Sequence, residues 1–368
     1  MTSPVRWLAP ALLLAGAAPT PARAQDWLVL NGIADGEAWV TDSASTLLSR
    51  NAGQFATLGR VQLFAAAAVR PTLQLIFMGE IEGGGATDAD NELEIGYDQL
   101  VLRYIPSPRA VIDIGKFPSP VGAFANRRLS TTNPLIGSPD GYAVTYPWGI
   151  EVSGTISHFD YRAALVSLPV THEEYVPDPS PALRPALGGG YTPVPELRLG
   201  ASLTWGPYLN SDLGAALPAG AGWKSYPQRV LGIDSRLTIG YFEFRGEVLV
   251  SRYDVPTQSS ALDAVDFYAE AKQTWAPRLF TAARFERNDY ALVVPDSVGP
   301  WSGRLVDSYN GELGVGYRLS AGTILKVSYR RAWWRVTPDL RPGLPDGYAF
   351  GLQLSCHGDI NGWFERKR

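Results

Sequence analysis

Along much of this chain apolar and polar residues alternate one by one, and any fold must satisfy that period of two. In 196–206, Leu197, Leu199, Ala201, Leu203 and Trp205 share one side, and Glu196, Arg198, Ser202 and Thr204 share the other. Successive side chains of a strand point to opposite faces, so such a segment has one apolar and one polar face. Segment 229–239 separates Leu231, Ile233, Leu237 and Ile239 from Asp234, Arg236 and Thr238. Segment 265–275 separates Val265, Phe267, Ala269, Ala271 and Trp275 from Asp266, Tyr268, Glu270, Lys272 and Thr274. Near the C-terminus Tyr348, Phe350, Leu352 and Leu354 oppose Gly347, Ala349, Gly351, Gln353 and Ser355.

A soluble sandwich also alternates, so the connections carry the distinction. Short ones at Arg70-Pro71, 106–109, 158–160, 192–195, Gly240-Tyr241, Ala276-Pro277 and 320–322 take turns with long ones. The long ones lie near 43–56, 82–92, 117–147, 169–181, 207–227, 254–264, 291–306 and 336–346. Short turns at one end and long loops at the other predict an all-β, transmembrane antiparallel barrel. Strands from a first at 28–40 and a second at 58–69 to a last ending near Cys356 number about 16, with 14 and 18 within boundary error. An even number places both chain ends on the periplasmic side. Two strands break phase, near Asp98-Gln99 and near Lys116, and a β-bulge is predicted at each. Trp148, Trp205, Trp275, Tyr241, Phe242, Tyr317 and Trp333 fall near the ends of apolar faces, as interfacial girdles require.

Residues 1–24 read as a cleaved secretory signal peptide. Arg6 gives a positive start, 7–18 an apolar run, and Ala22-Arg23-Ala24 a small-x-small cleavage site, so the mature chain is predicted to begin at Gln25 as one barrel domain, 25–368. The formal net charge of −4 becomes more negative when Arg6 and Arg23 leave, which argues against a nucleic-acid partner. The lone Cys356 excludes an internal disulfide and reads as a small filler at a strand end.

With the apolar faces toward lipid, the polar faces line a lumen of both charge signs. Its predicted lining includes Arg198, Asp234, Arg236, Glu243, Arg245, Glu247, Glu270, Lys272, Arg284, Glu286, Lys326 and Arg330, together with Arg60, Gln62, Glu80, Asp113, Glu151 and Glu312. A barrel of this size is too wide for its side chains to fill, so an aqueous pore is expected. The longest loop, 117–147, carries Arg127 and Arg128 just after Lys116. These three residues are the candidate constriction, favouring anions if the loop folds inward, with lipopolysaccharide phosphates the alternative partner if it stays outside.

The run Glu94-Ile95-Gly96-Tyr97-Asp98-Gln99-Leu100-Val101-Leu102-Arg103-Tyr104, followed by Val111-Ile112-Asp113-Ile114-Gly115-Lys116-Phe117-Pro118-Ser119-Pro120-Val121-Gly122, resembles the Gly-Lys-Phe, Pro-x-Gly region of the phosphate-selective porin group. The resemblance implies a 16-stranded, often trimeric, diffusion channel. Phosphate-binding members of that group use many lysines, whereas this chain has five, with Lys116 alone near the motif. Barrels of that group commonly end on an aromatic residue closing the last strand. Here a tail, 357–368, follows and ends Glu-Arg-Lys-Arg.

No Gly-x-Ser-x-Gly elbow, Gly-Lys-Ser/Thr phosphate loop or His-Glu-x-x-His occurs, and His158, His172 and His357 lie on separate segments. Neither an enzyme, a cofactor nor a metal site is expected. The acidic run Asp88, Asp90, Glu92 and Glu94 lacks EF-hand spacing and reads as a solvated loop. The expectation is a porin-like channel for passive diffusion of small hydrophilic solutes or ions across the bacterial outer membrane, among lipid and lipopolysaccharide. A structural or adhesive barrel without an open pore is the alternative. Gly32, Ala34, Gly36, Ala38, Ala65 and Ala67 form a small-residue outer patch that predicts a homo-oligomer, with a trimer among its forms.

Overall fold

A computed structural model describes residues 27–42, 55–85, 93–139, 146–167, 182–209, 213, 216–294, 301–335 and 346–361. The predicted signal peptide, most of the acidic run and 362–368 of the tail lie outside the described residues.

Strands β1 (Leu28–Thr41), β2 (Phe55–Arg70), β3 (Leu73–Gly83), β4 (Leu93–Ser107), β5 (Ala110–Lys116) and β6 (Trp148–Ile156) are followed by β7 (Phe159–Val166), β8 (Arg184–Val194), β9 (Leu197–Pro207) and β10 (Pro227–Ile239). Strands β11 (Phe242–Tyr253), β12 (Leu262–Ala276), β13 (Leu279–Val294), β14 (Ser302–Ser320), β15 (Thr323–Arg335) and β16 (Gly347–Asp359) complete the chain. Each pairs antiparallel with its sequence neighbours, and β1 pairs with β16 to close a barrel. Closure leaves no unpaired strand edge, which a sheet in lipid cannot carry.

Every even-to-odd connection is a two-residue turn, such as Ser157-His158 and Gly240-Tyr241. Ser157 and Gly240 both have φ of 56°, the positive value that tight hairpin turns matched to strand twist require. All odd-to-even connections gather at the other end.

The alternation sorts the two surfaces. Leu199, Leu203, Leu231, Ile233, Val248, Val250, Leu313, Val327, Phe350 and Leu352 are exposed on the outside. Gln62, Asp234, Glu247, Glu270, Glu286, Glu312 and Gln353 are buried on the inside. A surface of this kind, apolar outside and polar within, is suited to lipid. Trp205 and Trp333 stand near the loop end of that surface, and Tyr241, Trp275 and Tyr317 near the turn end.

The register tests both predicted bulges. Met78 pairs with Gln99 and Gly79 with Tyr97, so Asp98 is the extra residue of a bulge. At Lys116 the register runs without a shift, Leu100 on one side and Trp148 on the other, and the second bulge is absent. Two other boundaries also differ from expectation. The 291–306 loop is shorter, because β13 runs through Val294. There Ala291 and Val293 are buried against Tyr208, Tyr253, Val255 and Trp301 rather than solvated. Strand β16 continues past Cys356 to Asp359, which pairs with Asn31. Beyond it the Asn361 side chain accepts from Leu30 N at 3.1 Å and donates to Leu28 O, docking the start of the tail on the closing seam.

Candidate functional site

The third long loop enters the barrel. Phe117, Val121 and Phe124 are buried in one cluster with Val101, Ala164, Val166, Ala186, Val230, Leu249 and Tyr268 of the wall. Phe124 meets Tyr268 edge-on, with centroids 5.6 Å apart. Phe124–Arg127 forms a short 3-10 turn. Ahead of it, Gly122 has φ of +80°, and a Cβ there would lie 2.3 Å from Glu247 Oε1. Only glycine lets the backbone pass so close, and Ala123 N then donates to Glu247 Oε1 at 3.0 Å.

From Arg127 onward the loop is held by charged side chains of the wall. Arg127 donates to Glu270 Oε1. The other oxygen of Glu270 accepts from Arg284 Nη2 at 2.7 Å and Nε at 3.1 Å. Arg284 also reaches the loop, donating to Gly137 O at 2.7 Å and Asn133 Oδ1 at 2.9 Å. Glu312 accepts the Ile136 and Gly137 amides, each at 3.1 Å. Lys326 Nζ donates to Ser130 O, Asn133 O and Leu135 O at 2.5, 2.7 and 3.2 Å. Ser130 Oγ in turn bonds Asp35 Oδ1 of β1 at 2.7 Å. An ammonium has three donors, and here each finds a backbone carbonyl, so the charge is buried with its hydrogen bonds satisfied.

The three residues of the predicted constriction have different fates. Arg127 is buried on Glu270. Arg128 reaches toward β3 and β4, with Asp98 Oδ2 at 3.3 Å and Glu80 Oε1 at 3.8 Å, and its guanidinium lies 5.5 Å from the Tyr146 ring centroid. Burial works against the Arg128 charge, but Tyr146, Asp98 and Glu80 outweigh it and hold the group above its ordinary pKa. Lys116 does not join them. Without a bulge it shares the outer face with Leu100 and Trp148, bonds Tyr97 O at 2.8 Å and sits over the Tyr97 ring.

Of the predicted lining, Arg198 bridges Asp160 at 2.8 Å and Asp234 at 2.6 Å. Glu243 pairs with Lys272 at 2.5 Å, and Glu286 lies 3.5 Å from Arg330. Arg236 and Arg245 are directly opposite each other on β10 and β11. Sequence reasoning missed Asp35, Ser130 and Asn133, because their roles depend on where the loop travels. The turn-forming composition of Asn133-Pro134 with Gly137 was the only local signal there.

A polar cavity of about 280 Å³ remains between the loop and strands β1, β2, β15 and β16. Glu37, Arg60, Arg128, Ser138, Arg330 and Gln353 line it.

Neither a protein-family model nor a curated protein matches the sequence. Solved structures do match in fold. OmpT, an outer membrane protein of Vibrio cholerae, is 12% identical with a TM-score of 0.58, over 90% of this chain and 97% of that one. The anion-selective porin from Comamonas acidovorans is 11% identical with a TM-score of 0.58, over 90% and 99%. Salmonella typhi OmpF, in complex with daunomycin, is 10% identical with a TM-score of 0.59, over 90% and 97%. At such identities the likeness is one of fold.

Proposed function

We propose that this protein is an outer-membrane diffusion channel for small hydrophilic solutes or ions, exported through its predicted signal peptide. The observation that carries this reading is the inward loop fastened to the wall by buried charges, with a polar cavity left between it and β1, β2, β15 and β16. A barrel that served only as a scaffold would gain nothing from desolvating so many charges around a partial plug. The similarity in fold to porins of other bacteria supports the same reading.

Anion preference is the finer part of the proposal. Arg128 faces the cavity, but Asp98 and Glu80 lie beside it and Glu37 stands across, so the loop cations alone give a mixed field. Purified protein in planar bilayers should give stable open steps. A complete lack of steps from folded protein would favour the structural or adhesive reading.

The oligomer is proposed from the outer face at the seam. Gly32, Ala34, Gly36 and Ala38 alternate with inward residues of β1, and Ala65 and Ala67 lie across from Leu30 and Leu28. Small side chains there let another barrel approach closely. A trimer in mild detergent is the expected form, and a monomeric native protein would end the idea.

A further inference from the structure

At the turn end of the barrel the rim differs in charge from one side to the other. Arg70 flanks the β2–β3 turn, Arg109 is in the β4–β5 turn and Arg278 in the β12–β13 turn. All three are exposed, and none has an ion pair among the described residues. The β6–β7, β8–β9 and β10–β11 turns hold no arginine or lysine, and the β8–β9 turn holds Glu196. Around the closed barrel the basic turns therefore fall on one arc, from β12 through the seam of β16 and β1 to β5.

The outer face beside this arc is aromatic. Tyr104 is exposed near the β4–β5 turn, and Trp275 and Tyr317 near Arg278. Such rings sit at the level of lipid headgroups, which puts the adjoining arginines at the bilayer surface. The chain also leaves the barrel on this arc. Gly32 is on the outer face of β1, and a Cβ there would lie 3.2 Å from Ile360 Cδ1, so Ile360 follows β16 onto the lipid side of the seam. Asn361 then holds Leu28 and Leu30. The sequence after it supplies Trp363, Phe364, Arg366, Lys367 and Arg368, with Glu365 the one acid among them. Asp359 is the exposed acid at the seam.

The loop end is built differently. Arg229, Arg252 and Arg287 there have Asp254, Asp263 and Asp289 at 3.0, 3.7 and 2.9 Å, so the protein itself answers much of their charge.

We propose that the arc of Arg70, Arg109 and Arg278, joined by the basic end of the chain, binds the headgroups of anionic phospholipid of the phosphatidylglycerol class at the turn end. A basic side chain at a bilayer surface attracts anionic lipid, and several such charges add. Phosphatidylethanolamine carries the same phosphate but cancels it with its own ammonium, so it is the comparison that isolates charge. The inference rests on the outer-membrane reading above and not on the pore being open.

Electron spin resonance on the full chain in phosphatidylethanolamine vesicles, doped with spin-labelled phosphatidylglycerol or spin-labelled phosphatidylethanolamine, reads how each lipid shares the barrel surface. We expect phosphatidylglycerol to be favoured and the preference to fade as salt is raised. It should fall at least about threefold in Arg70→Gln/Arg109→Gln/Arg278→Gln, and also in a chain ended at Asn361. The triple lysine variant should keep it, which separates charge from misfolding. Arg229→Gln, at the loop end, should leave it unchanged. Equal sharing by the two lipids, or an unchanged preference in the glutamine variant or the shortened chain, overturns the site as drawn. Retention of the solubilised protein on purified peptidoglycan, lost in the same glutamine variant and without a lipid preference, assigns the arc to the cell wall and overturns it too. Folded protein that enters no vesicle overturns the outer-membrane reading and the site with it, whereas insertion without preference overturns the site alone.

Discussion

Two adjoining stretches of the inner wall share one ladder of charges and use it in opposite ways. On β12–β15, Glu270, Arg284, Glu312 and Lys326 turn toward the loop and toward each other until nearly every donor and acceptor is engaged. On β10 and β11, Arg236 is exposed to the lumen and neither it nor Arg245, whose Nε is buried, has an ion pair among the described residues. Burial makes the difference. Where the loop covers the wall, water is excluded and unpaired charge is intolerable. Arg236, exposed to the lumen, can be answered by water. The same residue types thus build a fastening in one place and a charged surface in the other.

The largest way to break that contrast is to unpair the covered side. Glu270→Gln keeps the shape but leaves Arg127 and Arg284 without their shared carboxylate, in a pair whose side chains are 0% and 2% exposed. Removing one partner of such a pair should cost about 3 kcal/mol. Unfolding by urea from lipid vesicles measures it, and bilayer records should show a noisier or wider open state. An unchanged midpoint with quiet channels would mean that the loop is held mainly by its apolar contacts at Phe117 and Phe124.

Lys326→Met tests the same fastening with a smaller perturbation. The three carbonyls of Ser130, Asn133 and Leu135 lose their shared donor. Methionine fills most of the space and no buried charge is left unpaired, so the expected loss is about 2 kcal/mol. The readout is again the unfolding midpoint, paired with open-state noise. A loss as large as that of Glu270→Gln would show that the ammonium, not the carboxylate, is the principal fastening.

How much of this was legible before the fold was known follows from the physics of each feature. Period-two alternation reports which face a residue takes, so the inward placement of Arg236, Arg245, Glu270 and Lys326 could be read directly. The strand count followed from turn chemistry, and the bulge at Asp98 from a break in phase. Lys116 was misplaced because its polarity suggested the lumen. The unbroken register instead puts it beside Trp148, where a long stem over Tyr97 carries the charge along an apolar surface. Which charges cancel was beyond reach. Pairing depends on the stagger between strands and on the path of a loop with little periodicity of its own, as between Asp35 and Ser130, 95 residues apart.

The smallest expected effect compares the two loop arginines, which adjoin in sequence but fall on opposite sides of the contrast. Arg127 belongs to the covered wall, and Arg128 to the cavity beside Asp98 and Glu80. Arg128→Gln removes a partly solvated cation, so stability should fall by less than about 1 kcal/mol. Its nearest charges are then acidic, and the reversal potential in a salt gradient should move toward cation permeation. Arg127→Gln removes a charge already matched by Glu270, which keeps Arg284 as a partner, so it should disturb stability more than ion preference. If the reversal potential instead moves with Arg127 and not with Arg128, ions pass along the wall of Arg236 and Arg245 rather than through the cavity at Glu37, Arg60 and Arg330. Arg236 and Arg245 would then lie on the conduction path itself.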